Sequence, residues 1–355
     1  MKSLSAKKQH DFLLLFEKFI QDSKKGKRLQ PNGKRLSSGT VKNYQSVLHL
    51  LRIFAEKHSF PLRIIGWNRL TSREQEREKN YWEKFYNKFS DFLYNTRGCY
   101  DNYVGLCFKN IKVFFSYLSR HQNLETGNVQ RLFYVRKEET AIFPLLPEEL
   151  NHLIYNEELS KRLSPRLQQA KDFFVFGCTV ALRFSDLVCL QKANLRIVGN
   201  ERYLTVQSKK TGIYSLMKLP AYATEILDKY KRQQKKLLPL FNNANLNKYI
   251  KLVLEEAGFI HPVSYSREQR GNRTNLKSKR GQEVRFCDIA STHTMRRTGI
   301  STMLCLGMNE QMVRRISGHS PHGKEFYRYV AWAQTYQDSE SEKVFTLLKE
   351  KHLNF

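Results

Sequence analysis

Across residues 7–25 the apolar positions Phe12, Leu15, Phe16 and Phe19 recur at the three-and-four spacing of an amphipathic helix, and Gly26, Pro31 and Gly33 close it. The same period returns over 40–57 (Val41, Tyr44, Leu48, Leu51, Phe54), with Ser38 as the cap. It recurs over 73–95 (Trp82, Phe85, Phe89, Phe92, Leu93) and over 101–119 (Val104, Phe108, Ile111, Phe114, Phe115, Leu118). Four helices with short links predict an all-α domain over residues 1–121. Residues 122–146 read as a linker, with turn-prone spots at 125–128 and 144–147 and a mixed polar strand at 132–135.

A second domain is predicted over 147–355. Pro147, Glu148 and Glu149 suit a helix N-terminus, where acidic side chains complement the dipole. The apolar run 173–190 encloses an arginine in GCTVALRFSDLVCL, and Arg183 is costly there unless it is paired or functional. Residues 203–207 and 215–219 alternate with the period of strands around Ser208-Lys209-Lys210-Thr211-Gly212, a hairpin with two lysines at its tip. Helical patterns follow at 222–236 and 246–258. The very polar stretch 261–285 carries Arg267, Arg270, Arg273, Lys277, Lys279, Arg280 and Arg285, and reads as a mobile basic loop beside the substrate, with plain disorder the alternative. Beyond it, His293 and Arg296 share one helix face. Residues 298–306, Gly307 and 308–316 then read as helix, tight turn, helix, a pattern that also suits a DNA-reading motif. The tail 338–355 is a charged helix with an apolar stripe at Val344, Phe345, Leu347 and Leu348. The fold class expected from these elements is mainly α with a small β-sheet.

Charge changes the picture. Sixty-one Lys and Arg stand against 33 Asp and Glu, a net charge of +28, which repels itself unless the partner is a polyanion. Nucleic acid is the first candidate and an anionic membrane surface the second. No run approaches the roughly 18–20 apolar residues of a spanning helix, and Glu17 and Lys18 interrupt the apolar N-terminal run, so it reads as amphipathic and not as a signal peptide. The six cysteines form no C-x-x-C pair and sit in apolar or helical segments, which points to reduced core residues of a cytoplasmic protein, without disulfides or zinc. On the helical domain, Lys42, Lys109 and Lys112 are DNA-contact candidates, as are Lys209, Arg270 and Arg273 further on; solvated charge is the alternative for each.

Several pieces occur together and in order: ALRFSDL at 181–187, Lys209-Lys210-Thr211-Gly212, HTMRRT at 293–298, ISGHS at 316–320, and the tyrosines Tyr327 and Tyr329. In that order and over residues 146–355 they resemble the tyrosine recombinases, the phage-integrase class of site-specific recombinases. The N-terminal helices resemble that family's core-binding domain more diffusely. The resemblance implies an α-helical SAM-like core-binding domain and a mixed α/β tyrosine-recombinase catalytic domain. It also implies a homo-tetramer on two double-stranded DNA sites, with room for accessory DNA-bending proteins and no role for a membrane, a metal, a cofactor or ATP.

The chemistry fits that implication. Attack on a phosphodiester concentrates negative charge on its non-bridging oxygens, and planar guanidinium forks are suited to hold them. Arg183 and Arg296 take that role, and His319 adds a hydrogen bond. His293 is placed to help remove the proton of a tyrosine, whose phenol titrates near ~10 and needs activation. Lys210 delivers a proton to the leaving 5′ oxygen, with Lys209 its competitor, and Asp186, one helical turn past Arg183, orients the site and balances its charge, with an ordinary helix-surface acid the alternative. Register favours Tyr329 as nucleophile; a loop at 321–324 one residue longer than usual leaves Tyr327 open. Ala181 stands where the family usually has glycine, a change expected to cost little because alanine is at home in a helix. The C-terminal helix is expected to dock on a neighbouring protomer, with packing in its own chain the alternative. Two other functions share these features: a type IB topoisomerase, which relaxes DNA without a partner duplex, and a non-catalytic regulator that reads DNA through residues 303–319.

Overall fold

The computed structural model of the chain describes residues 9–208, 212–232, 235–278, 281–320 and 323–352. In chain order the elements are β1 (Gln9–Asp11), α1 (Phe12–Lys25), α2 (Ser38–Lys57), β2 (Arg63–Ile65), α3 (Ser72–Asp91) and α4 (Asp101–Gln122). Then come α5 (Pro147–Tyr155), α6 (Glu157–Arg162), α7 (Pro165–Val180), α8 (Phe184–Leu187), β3 (Leu195–Val198), β4 (Glu201–Gln207), β5 (Tyr214–Lys218), α9 (Ala221–Lys229) and α10 (Asn243–Glu256). The last are β6 (Pro262–Val263), β7 (Ser266–Gln269), β8 (Asn272–Asn275), β9 (Val284–Arg285), α11 (Phe286–Ile289), α12 (Thr292–Cys305), α13 (Glu310–Ser317) and α14 (Tyr327–His352). Among the described residues no helix is long and apolar enough to cross a membrane.

The chain divides into two compact units, one reaching to Thr140 and including Ser266–Asn275, the other made of Ala141–Tyr265 and Leu276–Phe355. The first is built on α1–α4. Asp11 caps α1 by accepting from the Leu14 amide at 3.0 Å, and Ser37, not Ser38, caps α2 by accepting from Thr40 at 3.1 Å. Its core is aromatic: Phe12, Phe16, Phe19, Phe54, Trp82, Phe85, Phe89, Phe108, Phe114 and Phe115 are all buried. Phe16 and Phe114 sit 4.7 Å apart and Trp82 meets Phe115 edge-on at 5.0 Å, the tilted geometries that the ring quadrupole favours.

Two expectations change in this unit. Residues 122–140, read as linker, belong to it: Val129 and Phe133 lie in its core, and a 3-10 turn, Val129–Leu132, stands where a strand was expected to begin. The expected mobile basic loop is overturned over Ser266–Asn275, where β7 and β8 pair as an antiparallel hairpin within this unit; Lys279 and Arg280 lie outside the described residues. Two buried carboxylates receive it. Asp101, 2% exposed, accepts the amides of Arg270 and Gly271 at 2.8 Å each. Glu138, 3% exposed, accepts Arg267 Nε at 2.9 Å and the Glu268 amide at 2.6 Å. Arg270 also pairs with Asp91 at 2.7 Å and lies over the Tyr94 ring. The Arg267 guanidinium is met by Glu138 and that of Arg270 by Asp91, while Asp101, about 170 positions earlier, holds the backbone amides of the turn.

The second unit is centred on α7, packed against α10 and α12. Gly299 on α12 makes this close approach possible: a Cβ there would lie 2.0 Å from the Cys178 carbonyl oxygen. The strands form a three-stranded antiparallel sheet in the order β3-β4-β5, with Leu204 opposite Met217 and Val206 opposite Ser215. The apolar run expected as one segment is broken: α7 stops at Val180, and Ala181 adopts φ +51. Alanine there is not in a helix, so the substitution for glycine carries the left-handed penalty of roughly 1–2 kcal/mol and is not cheap. The helix expected at 222–236 is the shorter α9. The charged tail is continuous with the tyrosine segment as one 26-residue helix, α14. Its first turns pack on α12, where Gln337 donates to the Leu304 carbonyl, and Phe345 further along is exposed.

Two stability tests follow from this packing. Burial raises the Glu138 pKa, but Arg267 and the Glu268 and Asn102 contacts outweigh it, so the carboxylate is held below its ordinary value. Its stabilisation is therefore present above the unfolded value near ~4.3 and lost as pH falls through the lower folded one. Glu138→Ala should cost about 3 kcal/mol at neutral pH by stranding Arg267, and the gap to wild type should narrow on acidification in chemical-denaturation curves. Gly299→Ala should cost about 1–3 kcal/mol by overpacking α7 against α12, read as a lowered thermal midpoint.

Candidate active site

Arg296 is held by α12 at 2% exposure. Its Nη1 donates to the carbonyls of Ala181, at 3.0 Å, and of Ser317. These close the C-terminal ends of α7 and α13, where the dipole places partial negative charge. Nη2 lies 3.1 Å from each ring nitrogen of His319. Burial, then the charge of Arg183, draws this guanidinium down to about 10, so it stays charged at neutral pH.

Arg183 is not inside a helix, as the sequence pattern suggested, but at the N-cap of α8 in extended conformation. Its Nη1 donates to Ser208 Oγ at 3.2 Å, and Ser208 Oγ stands 3.5 Å from Asp186 Oδ2, with Asp186 itself 3% exposed. The hairpin therefore meets the first arginine through Ser208 at its base. Lys209 and Lys210, expected at the tip, lie outside the described residues.

Gly318 caps α13 with φ +66, a left-handed turn that glycine adopts without strain, and this turn sends His319 back towards Arg296. The ring stands at centroid distances of 5.2 Å from Phe326 and 6.1 Å from Tyr329. Burial, then Arg296, Arg183, Arg314 and His293, lowers the His319 pKa to about 3. His293 lies on α12 and is exposed as a residue. Surrounding protein that displaces water, then Arg297, Arg296 and Arg183, lowers its pKa to about 4. Both imidazoles are neutral at physiological pH.

The two tyrosines differ. Tyr329, 6% exposed in the first turn of α14, hydrogen-bonds Arg297 and packs on Phe326. Tyr327, 61% exposed, lies under Arg314 and lines an open cleft with Arg315 and His319. Arg183, Arg296, His293, His319, Tyr329 and Asp186 are thus gathered in one unit. Of the DNA-contact candidates, Lys42 and Lys109 are exposed and Lys112 half-buried in the first unit, and Arg273 lies on its hairpin.

Sequence reasoning passed over Ser208, Arg297, Arg314 and Ser317. Arg297 was visible as the second arginine of HTMRRT and Ser208 as the residue before the lysine pair. Arg314 and Ser317 carry no signal until α13 is seen to end beneath His319. Among the described residues no group of three or more His, Cys, Asp or Glu is disposed to hold a metal ion.

The two histidines give a testable acid limb. Between about 6.5 and about 4 the unfolded chain binds protons at these positions that the folded chain refuses, so stability falls as pH falls through that window. Replacing His293 and His319 together by Gln should flatten the decline in thermal midpoint over that range.

No protein-family model and no curated protein matches the sequence. Solved structures do. A lambda integrase tetramer bound to a Holliday junction aligns at TM-score 0.57 and 14% identity, over 91% of this chain and 78% of that one. XerH site-specific recombinase bound to a palindromic difH substrate, after cleavage, aligns at TM-score 0.58 and 11% identity, over 93% of this chain and 94% of that one. The Tn1549 transposon integrase with circular-intermediate DNA aligns at TM-score 0.51 and 12% identity, over 89% of this chain and 94% of that one. The mostly helical architecture with small sheets is theirs as well, and the chain has the tyrosine recombinase fold.

Proposed function

We propose that this chain is a site-specific DNA recombinase that cuts and rejoins duplex DNA through a 3′-phosphotyrosyl intermediate. The observation that carries the proposal is the convergence of Arg183, Arg296, His319 and Tyr329 from separate segments onto one small volume, with His293 at its rim. Two guanidinium groups and a histidine suit a pentacoordinate phosphorus, and fixed donors in a partly buried site need no reorganisation when charge develops. Neutral His293 accepts the phenolic proton as the Tyr329 oxygen bonds to phosphorus. The bond to the 5′ oxygen breaks, and Lys210 protonates that oxygen. After strand exchange the free 5′ hydroxyl gives its proton to the Lys210 amine and attacks the phosphotyrosine of a partner protomer, whose tyrosine leaves with the proton held by the His293 imidazolium there. The covalent link conserves the bond energy, so the scheme calls for neither ATP nor metal.

The net charge of +28 suits a polyanionic substrate. The similar solved structures are DNA complexes, one a tetramer on a Holliday junction, and this supports a tetramer working on two DNA sites here. Lys42, Lys109, Lys112, Lys209 and Arg273 are the proposed phosphate contacts away from the scissile bond; Arg270 has its guanidinium on Asp91 and adds less.

The test uses nicked duplexes cut from the DNA flanking the coding region, with covalent adducts resolved on denaturing gels. Wild type should form an adduct, Tyr327→Phe should keep it, and Tyr329→Phe should lose it altogether. Arg296→Ala should slow it by about 10²–10³-fold. An adduct that survives Tyr329→Phe and vanishes in Tyr327→Phe would move the nucleophile to Tyr327. Sequence-tolerant relaxation of a supercoiled circle, without synapsis, would favour a topoisomerase.

A further inference from the structure

Ser317 is 1% exposed, the last residue of α13 and two before His319. Its Oγ stands 2.6 Å from the Val313 carbonyl oxygen, 3.3 Å from that of Arg314 and 2.8 Å from His319 Nδ1. A carbonyl can only accept, so the single hydroxyl proton goes to Val313 and the Ser317 oxygen is left to accept. Nδ1 must then carry a proton. On the other side, Arg296 Nη2 lies 3.1 Å from both ring nitrogens, and a guanidinium can only donate. One nitrogen must therefore offer a lone pair, and with Nδ1 protonated that nitrogen is Nε2. Ser317 selects this neutral tautomer, and Arg296, equidistant from both nitrogens, is compatible with it.

We propose that Ser317 is a positioning residue that locks His319 as the Nδ1–H tautomer, so that the ring becomes a donor to an anion only by taking up a proton from solvent as the anion binds. This rests on the recombinase reading of the site and deepens it: loading the scissile phosphate is coupled to protonation. The groups facing the ring are His293 and Arg296 from α12, Arg183 before α8, Arg314 from α13, and Phe326 with Tyr329 from the last segment; Asp186 stands behind Arg183. The charged groups among those that face it are cationic, which keeps the free ring neutral. An anion placed among the guanidinium groups reverses that balance and draws Arg296 away from Nε2. The bound pKa is raised above the free one, so anion affinity rises as pH falls.

The experiment uses the full chain with ¹⁵N-labelled histidine, the His319 signals being assigned by their loss in His319→Ala. Wild type should show the Nδ1–H pattern, and Ser317→Ala should shift it towards Nε2–H. Sulfate, which does not titrate in this range, is the probe. Its affinity for wild type should rise by up to about tenfold per unit fall in pH between about 8 and about 5. The slope should flatten in Ser317→Ala, whose ring can present a ready Nε2–H donor, and return in Ser317→Thr, which keeps the hydroxyl. An Nε2–H signal in wild type, or an unchanged tautomer and slope in Ser317→Ala, overturns the proposal. If Ser317→Ala does not fold, the wild-type spectrum alone decides. Adduct formation on nicked duplex is scored separately: an adduct with the wrong tautomer refutes this inference alone, and the expected tautomer without an adduct refutes the recombinase reading alone.

Discussion

The burial of the Arg296 guanidinium is the constraint from which the second unit can be understood. A cation at 2% exposure is costly unless its donors are met, and here they are met by two helix C-termini and a neutral imidazole in place of a carboxylate. Both helices end in a left-handed residue, Ala181 at φ +51 and Gly318 at φ +66, and both carbonyls that take the Arg296 proton bonds lie at those ends. The consequence is electrostatic. Carbonyl dipoles satisfy the hydrogen bonds without cancelling the charge, so the site keeps a net positive field for an anion, which an ion pair would have quenched.

The same arrangement explains the left-handed alanine. At Ala181 the chain must turn to aim its carbonyl at Arg296 and then present Arg183 at the start of α8, while the methyl group packs in a small cluster with Ile300, Phe326 and Tyr329. The conformational penalty is offset by burial of that methyl group and by a hydrogen bond to charge, which is worth more than one between neutral groups. The alanine is therefore legible only as part of the site. Read as a helix position, it was misjudged.

That case marks the boundary of what the sequence discloses. Periodicity located α1 to α4 because each buries a continuous apolar face, largely aromatic in α1, α3 and α4 and aliphatic in α2, and the helix, turn and helix around Gly307 because apolar spacing and a left-handed glycine coincide. Ordered boxes singled out Arg183, Arg296 and His319, which the fold brings together. What stayed hidden depends on partners distant in sequence. The basic stretch with Arg267 and Arg270 looked like a mobile loop because Glu138 and Asp101, the acids that order it, lie far upstream and appear unremarkable in their own segments. Ser208 and Ser317 are small polar residues with no periodic signal, and their importance comes from the atoms they touch.

The two units also use charge in opposite ways. In the first, Arg267 is neutralised by the buried Glu138 and Arg270 by the exposed Asp91, and Asp101 takes the turn's amides, so that a polar, strand-poor segment becomes a fixed hairpin. In the second, Arg183, Arg296 and Arg297 crowd one region, and the nearby histidines respond by staying neutral. The hydrogen bonds of Arg183 and Arg296 go to hydroxyl, carbonyl and imidazole, while the buried Asp186 carboxylate offsets part of the positive charge. Such a site is under electrostatic tension at rest, and an anion relieves it. On the proposed reading, the folded chain holds in advance part of the free energy by which a phosphodiester would be bound, at the position where charge would develop in its attack.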